Sequence, residues 1–169
     1  MKKFTVLVAL LCVVVGFASA ETSNYSKNGM LINPGSINAN VGIGFGYGYG
    51  YGLSVGGGVE YAIGKFMIAE KLPFTYGVAG RAGLYFGGNN IDIALGAVGT
   101  LHFNWGALNL PSELAWIGNF DSYFGLGLSI LPGFGFNTIG GTSYFLSDNL
   151  AINAETGLEA SYIGVLLKL

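Results

Sequence analysis

His102 is the single histidine of the chain, and Asp121 follows it closely enough for the two to meet across one connection. An imidazole beside a carboxylate is the working part of a general base, and a serine would complete a Ser-His-Asp arrangement for lipid hydrolysis or acyl transfer. No serine motif accompanies the pair. The expected catalytic set is therefore none, with structural hydrogen bonding the role of both residues. Metal chemistry has less support still, because one histidine, one cysteine and scattered carboxylates do not make a ligand set. Neither a metal nor a cofactor is expected. Arg81 is the only arginine, and Glu60 and Glu155 are its candidate partners. An arginine set among carboxylates is either a buried ion pair or a gate across a pore, and the residue types leave both open. Together with Asp92, these residues form a candidate charge network of Glu60, Arg81, Glu155, Asp92, His102 and Asp121.

What must position them follows from composition. Of 169 residues, 51% are hydrophobic, 14% aromatic and only 9% charged, with 30 glycines, and the mean hydropathy is +0.56. Soluble domains carry about 25% charged residues, so this chain lacks the charges to cover a water-facing surface. Disordered chains are apolar-poor, which excludes that class too. Seven basic against nine acidic residues give no footprint for nucleic acid. The start of the chain reads as a secretory signal peptide, residues 1–20. Lys2 and Lys3 come first, then an apolar stretch from Phe4 to Phe17, then Ala18-Ser19-Ala20 as cleavage site. Cleavage there would remove Cys12 and leave no thiol. Residues 21–36 are expected to be a short periplasmic segment, and residues 37–169 the folded domain.

Across residues 37–169 the pattern has period two. Ile37, Ala39, Val41, Ile43, Phe45 and Tyr47 alternate with Asn38, Asn40, Gly42, Gly44 and Gly46. One face is large and apolar and the other small or polar, as in a strand with different solvents on its two sides. The alternation returns at 53–63, 74–86, 91–105, 120–130, 150–156 and 161–169, and more weakly at 137–146, where the facing is undecided. That makes eight strands. Most reach the length of about 9 to 11 residues that crosses a bilayer at a tilt. A sheet in lipid must close, because no water is there to bond a free edge. The expected fold is all-β, a closed antiparallel up-and-down transmembrane barrel. Glu60, Arg81, Asp92, His102, Asp121, Glu155 and Lys168 all fall on the small-residue face. A soluble barrel would bury its large-residue face and expose the other, so this placement favours lipid outside. The glycines on the inner face leave either a water-filled lumen or space into which Tyr85 and Tyr123 turn. Aromatics near strand ends, namely Tyr47, Tyr49, Phe74, Trp105, Trp116 and Phe120, are the expected interfacial girdle.

Two stretches carry a family likeness. Residues 144–155, with Ser147-Asp148-Asn149 between two alternating runs, resemble the strand, tight turn and strand before the last hairpin of bacterial eight-stranded outer-membrane proteins of the OmpA/OmpX/OmpW type. The chain end, with Tyr162, Gly164, Leu167 and Leu169 in a polar-x-Gly-x-x-apolar-x-apolar order, is similar to the insertion signal read by the barrel-assembly machinery. The likeness implies an outer-membrane barrel with both termini in the periplasm. Outer-membrane lipid and that machinery would then be its partners. Outward connections would lie near 48–52, 87–90, 131–136 and 157–160, and periplasmic ones near 64–71, 106–119 and 147–149. Proline at 111 and glycine at 118 suggest either one helical turn between them, with Trp116 and Ile117 at the interface, or an irregular loop anchored by Trp116. The expected function is a non-enzymatic envelope protein, structural or porin-like for small solutes. An adhesin or receptor, and less so a lipid-modifying enzyme, are the alternatives. Solute and oligomeric state stay open.

Overall fold

A computed structural model describes residues 30–47, 52–87 and 90–169. The expected signal peptide, Tyr49 of the girdle and the tip of the first hairpin lie outside the described residues. Eight strands run in chain order: β1 (Ile37–Gly46), β2 (Gly52–Ile68), β3 (Leu72–Gly87), β4 (Asn90–Asn104), β5 (Phe120–Leu131), β6 (Gly135–Phe145), β7 (Leu150–Gly157) and β8 (Ala160–Lys168). Each pairs antiparallel with the next, and β8 pairs antiparallel with β1, so the sheet closes into a barrel. An even strand number brings Leu169 back beside the start of β1, where its backbone N–H donates to the Ile37 carbonyl at 2.8 Å. We call this the terminal end and the opposite one the far end.

Closure demands that β1 and β8 come close at the seam. A Cβ on Gly44 would lie 1.7 Å from the Ser161 carbonyl oxygen, and one on Gly164 1.9 Å from that of Val41. Backbone cannot yield at that distance. Gly44→Ala is therefore expected to prevent closure, and loss of the folded, heat-modifiable band on a gel without boiling would show it. A band like that of the wild type would refute the reading of the seam.

Three local features differ from the sequence reading. The connection expected at 64–71 is largely strand, because β2 continues to Ile68 and turns back through Ala69 and Glu70. Both of these have positive φ, 51° and 58°. The far-end turn between β7 and β8 does the same with Leu158 and Glu159, at 46° and 65°. Two left-handed residues in a row match the twist of a tight hairpin, here without glycine or asparagine. The pairing of β2 with β3 skips at Ile63, a bulge that reverses the facing beyond it. Phe66 thus joins the outer wall, stacked on Phe74 with ring centroids 5.5 Å apart.

The third is the segment before β1. Residues 21–36 are expected as a short periplasmic segment, and its described part enters the barrel mouth from Met30 onward. Leu31 and Ile32 are fully buried and cluster with Ala62, Phe145, Ala151 and Leu166. The physical reason is that the terminal end of the lumen is apolar there and two branched side chains fill it. The undecided strand β6 turns Asn137, Ile139, Ser143 and Phe145 inward, leaving Phe136 and Thr138 on the outer face. The helical turn expected near 111–118 is a 3₁₀ helix at Ser112–Asn119, with Gly118 inside it rather than after it.

Candidate functional site

Inward positions of neighbouring strands meet in the lumen because every second side chain points there. The strands tilt, so residues far apart along the sheet register reach one level. Glu60 from β2, Arg81 from β3, His102 from β4, Asp121 from β5 and Glu155 from β7 are all buried and form one connected network. The Arg81 Nε donates to both carboxylate oxygens of Glu155 at 3.1 Å, and a terminal guanidinium nitrogen lies 3.1 Å from Glu155 Oε2. Glu60 is the more distant partner, at 3.7 Å. His102 bridges two acids, with Nδ1 2.7 Å from Asp121 Oδ2 and Nε2 2.6 Å from Glu60 Oε1. An imidazolium satisfies both contacts with its two N–H groups. Thr100 Oγ1 also donates to Glu60 Oε1, at 2.5 Å.

A second set of partners binds the network to the wall. Tyr123 donates its hydroxyl to Glu155 Oε2 at 2.6 Å and accepts from Asn153 Nδ2 at 2.9 Å. Its ring stacks on His102, with centroids 5.2 Å apart. Asn40 Nδ2 reaches Glu155 Oε2 at 3.4 Å. Sequence reasoning placed Tyr123 in the lumen but missed these contacts, along with Thr100 and Asn153. Their inward phase was the only available signal, and small polar residues share it with many glycines. Asp92 does not join. It is half-buried on β4 opposite Tyr85 of β3, several residues toward the far end from the other charges. Its inward phase was right, but its height on the wall separates it from the network.

The expected contact of His102 with Asp121 is present. What faces the other ring nitrogen is a carboxylate, so the imidazole holds two acids together rather than approaching a hydroxyl. Above the charges the lumen is filled. Tyr85 and Tyr162 meet hydroxyl to hydroxyl at 3.1 Å, and Tyr85 also donates to the Leu158 carbonyl. With Ala94, Leu158 and Ala160 they form a buried cluster at the far end. The glycines make the room. A Cβ on Gly56 would lie 2.5 Å from the Tyr162 ring, and one on Gly141 equally close to that of Tyr123. Of the two readings of the glycine-lined interior, the tyrosine-filled one holds, with Tyr162 added to Tyr85 and Tyr123.

The outer wall carries exposed Val41, Ile43, Val59, Val78, Ile93, Leu126 and Leu128 at its middle. Toward the terminal end an aromatic band runs through Phe66, Phe74, Phe103 and Trp105. It resumes with Trp116, Phe120 and Tyr144. Tyr47 stands half-exposed at the far end. Phe66, Phe103 and Tyr144 join the expected girdle. Of the chain-end residues, Leu167 and Leu169 face outward, while the Tyr162 side chain turns into the lumen. A wall of this kind, apolar in the middle and aromatic at the rim, suits a bilayer.

A solved structure from the de novo design of transmembrane β-barrels aligns with 83% of this chain and all of its own, 100%, at a TM-score of 0.50 and 19% identity. The chain has the fold of a membrane-spanning β-barrel. At that identity the likeness speaks to fold alone. No family model matches the chain, and a search of curated proteins finds no match.

Proposed function

We propose that this chain is a non-enzymatic outer-membrane barrel whose role is structural and whose lumen does not conduct. On this reading a signal peptide at 1–20 exports it. The barrel-assembly machinery, reading the stretch that ends at Leu169, inserts it among outer-membrane lipids. The observation that carries the proposal is the filled lumen. Buried side chains occupy it in succession: Leu31 and Ile32 at the terminal end, then the charge network, then Tyr123 with Ile139, then Tyr85, Tyr162 and Leu158. An aqueous path needs polar, hydrated walls along its whole length, and apolar clusters interrupt this one at both ends.

Refolded protein in a planar bilayer is expected to leave the membrane resistance unchanged. In cells, a processed chain beginning at Glu21 is expected in the outer-membrane fraction as a heat-modifiable band. Steady ion conductance would overturn the structural reading in favour of small-solute passage, and recovery in a soluble periplasmic fraction would overturn the location.

A further inference from the structure

The segment leading into β1 is held differently from the strands around it. Ser36 accepts from the Ala62 N–H at 3.0 Å, and Gly35 donates to the Ala62 carbonyl at 2.7 Å, so the chain follows β2 up to this point. Gly35 then adopts φ +87° and turns the chain away from the ladder. That conformation costs L residues energy and glycine little. Beyond the turn, residues 30–32 cross the mouth of the barrel. Three strands hold them by side chains: Thr75 of β3 donates to the Ile32 carbonyl at 2.8 Å, Lys168 of β8 donates to the Leu31 carbonyl at 3.0 Å, and Asn104 of β4 accepts from the Leu31 N–H. Leu31 and Ile32 fill the space between. Further inside lie His102, Asp121 and Glu60, all nearly inaccessible.

We propose that residues 30–36 are an intramolecular plug, hinged at Gly35, that closes the terminal end and controls access of water and small solutes to the His102 cluster. The proposal deepens the closed-lumen reading and rests on it for the far end. The hydrogen bonds that hold Leu31 and Ile32 come from the side chains of Thr75, Lys168 and Asn104, so releasing these two residues breaks no pairing among the eight strands. Opening it is therefore a local event, decoupled from unfolding of the barrel.

His102 is the only histidine, so an untagged chain carries one imidazole probe, placed behind the plug. Hydrogen–deuterium exchange at the His102 ring C2, which proceeds through the imidazolium and needs water at the ring, is followed by mass spectrometry on the folded barrel in lipid vesicles and in detergent. Wild-type His102 is expected to stay unexchanged while the denatured chain reacts fully. Leu31→Asp, and separately the double variant Leu31→Gly with Ile32→Gly, are expected to react faster by roughly tenfold or more while keeping the heat-modifiable folded band. Wild-type reaction as fast as that of the variants would overturn the plug. So would folded variants that react as slowly as wild type. Failure of both variants to fold would also overturn it, by making the segment part of the core. Conductance reads the other proposal separately, because the Tyr85, Tyr162 and Leu158 cap remains in these variants and no current is expected through them. Current through the wild type, with His102 still protected, would sink the closed lumen and leave the plug standing.

Discussion

Arg81→Ala is expected to destabilise the barrel by about 3 to 5 kcal/mol, the range for removing one partner of a buried ion pair. Arg81 is 5% exposed, and Glu155, which it grips with both its Nε and a terminal nitrogen, is 8% exposed. Without the guanidinium, Glu155 keeps hydrogen bonds from Tyr123 and Asn40 but has no cation, and Glu60 keeps His102 and the Thr100 hydroxyl. Glu155→Gln in the Arg81→Ala background is expected to restore part of the loss, because a neutral amide costs less to bury than an unpaired carboxylate. Glu60→Gln is expected to restore less, since Glu60 lies 3.7 Å from Arg81 and pairs more closely with His102 at 2.6 Å. Arg81→Lys is expected to fall short of the wild type, because one ammonium does not reproduce the forked contact. Urea titration of folded protein in vesicles measures all four. An Arg81→Ala barrel as stable as wild type would refute the structural role, and if it also conducts, the gate reading of Arg81 takes its place.

Leu126→Arg is expected to cost roughly 2 to 4 kcal/mol, the penalty for arginine on the lipid face near mid-bilayer. Leu126 lies near the middle of β5, 48% exposed to the outside and flanked by outward Phe124 and Leu128. Leu126→Phe, which keeps the site apolar, is expected to change stability little. The neighbouring inward position makes a sharper test. By alternation alone, Gly127→Ser places a small hydroxyl in the lumen and looks mild. In the structure a Cβ on Gly127 would lie 2.0 Å from the Ala97 carbonyl oxygen of β4 and 2.6 Å from the Val98 Cα. Gly127→Ser is therefore expected to impair folding as well, by prying β5 from β4. Refolding yield and denaturant midpoint separate the outcomes. An innocuous Leu126→Arg would mean the fifth strand does not face lipid, because a shift of one residue exchanges the two faces.

Alternation along the chain was sufficient to define eight strands, to decide which face of nearly all of them met lipid, and to place every charge of the candidate network except in its height. Period two is a local property, and a sheet between two solvents writes it directly into residue order. Local order does not encode height around a tilted barrel. Arg81 meeting Glu155 across the lumen, His102 reaching Glu60 as well as Asp121, and Asp92 standing apart were all decided by tilt and register. Local order also failed where a rule was broken. The turns at Ala69-Glu70 and Leu158-Glu159 hold left-handed backbone without the usual glycine or asparagine, so tertiary pairing imposes what no residue there announces. The phase of β6 was hidden because apolar Ile139 and Phe145 turn inward while Thr138 and Thr142 lie on the other face. Leu31 and Ile32 form too short a run to carry any periodicity; only a closed mouth of the right width, lined by Phe145, Ala62 and Leu166, makes them core. The glycines were legible as small inward positions, but a small residue reads equally well as space for water or for a ring. Tyr85, Tyr123 and Tyr162 occupy that space because closing eight strands brings opposite walls within the reach of one aromatic side chain.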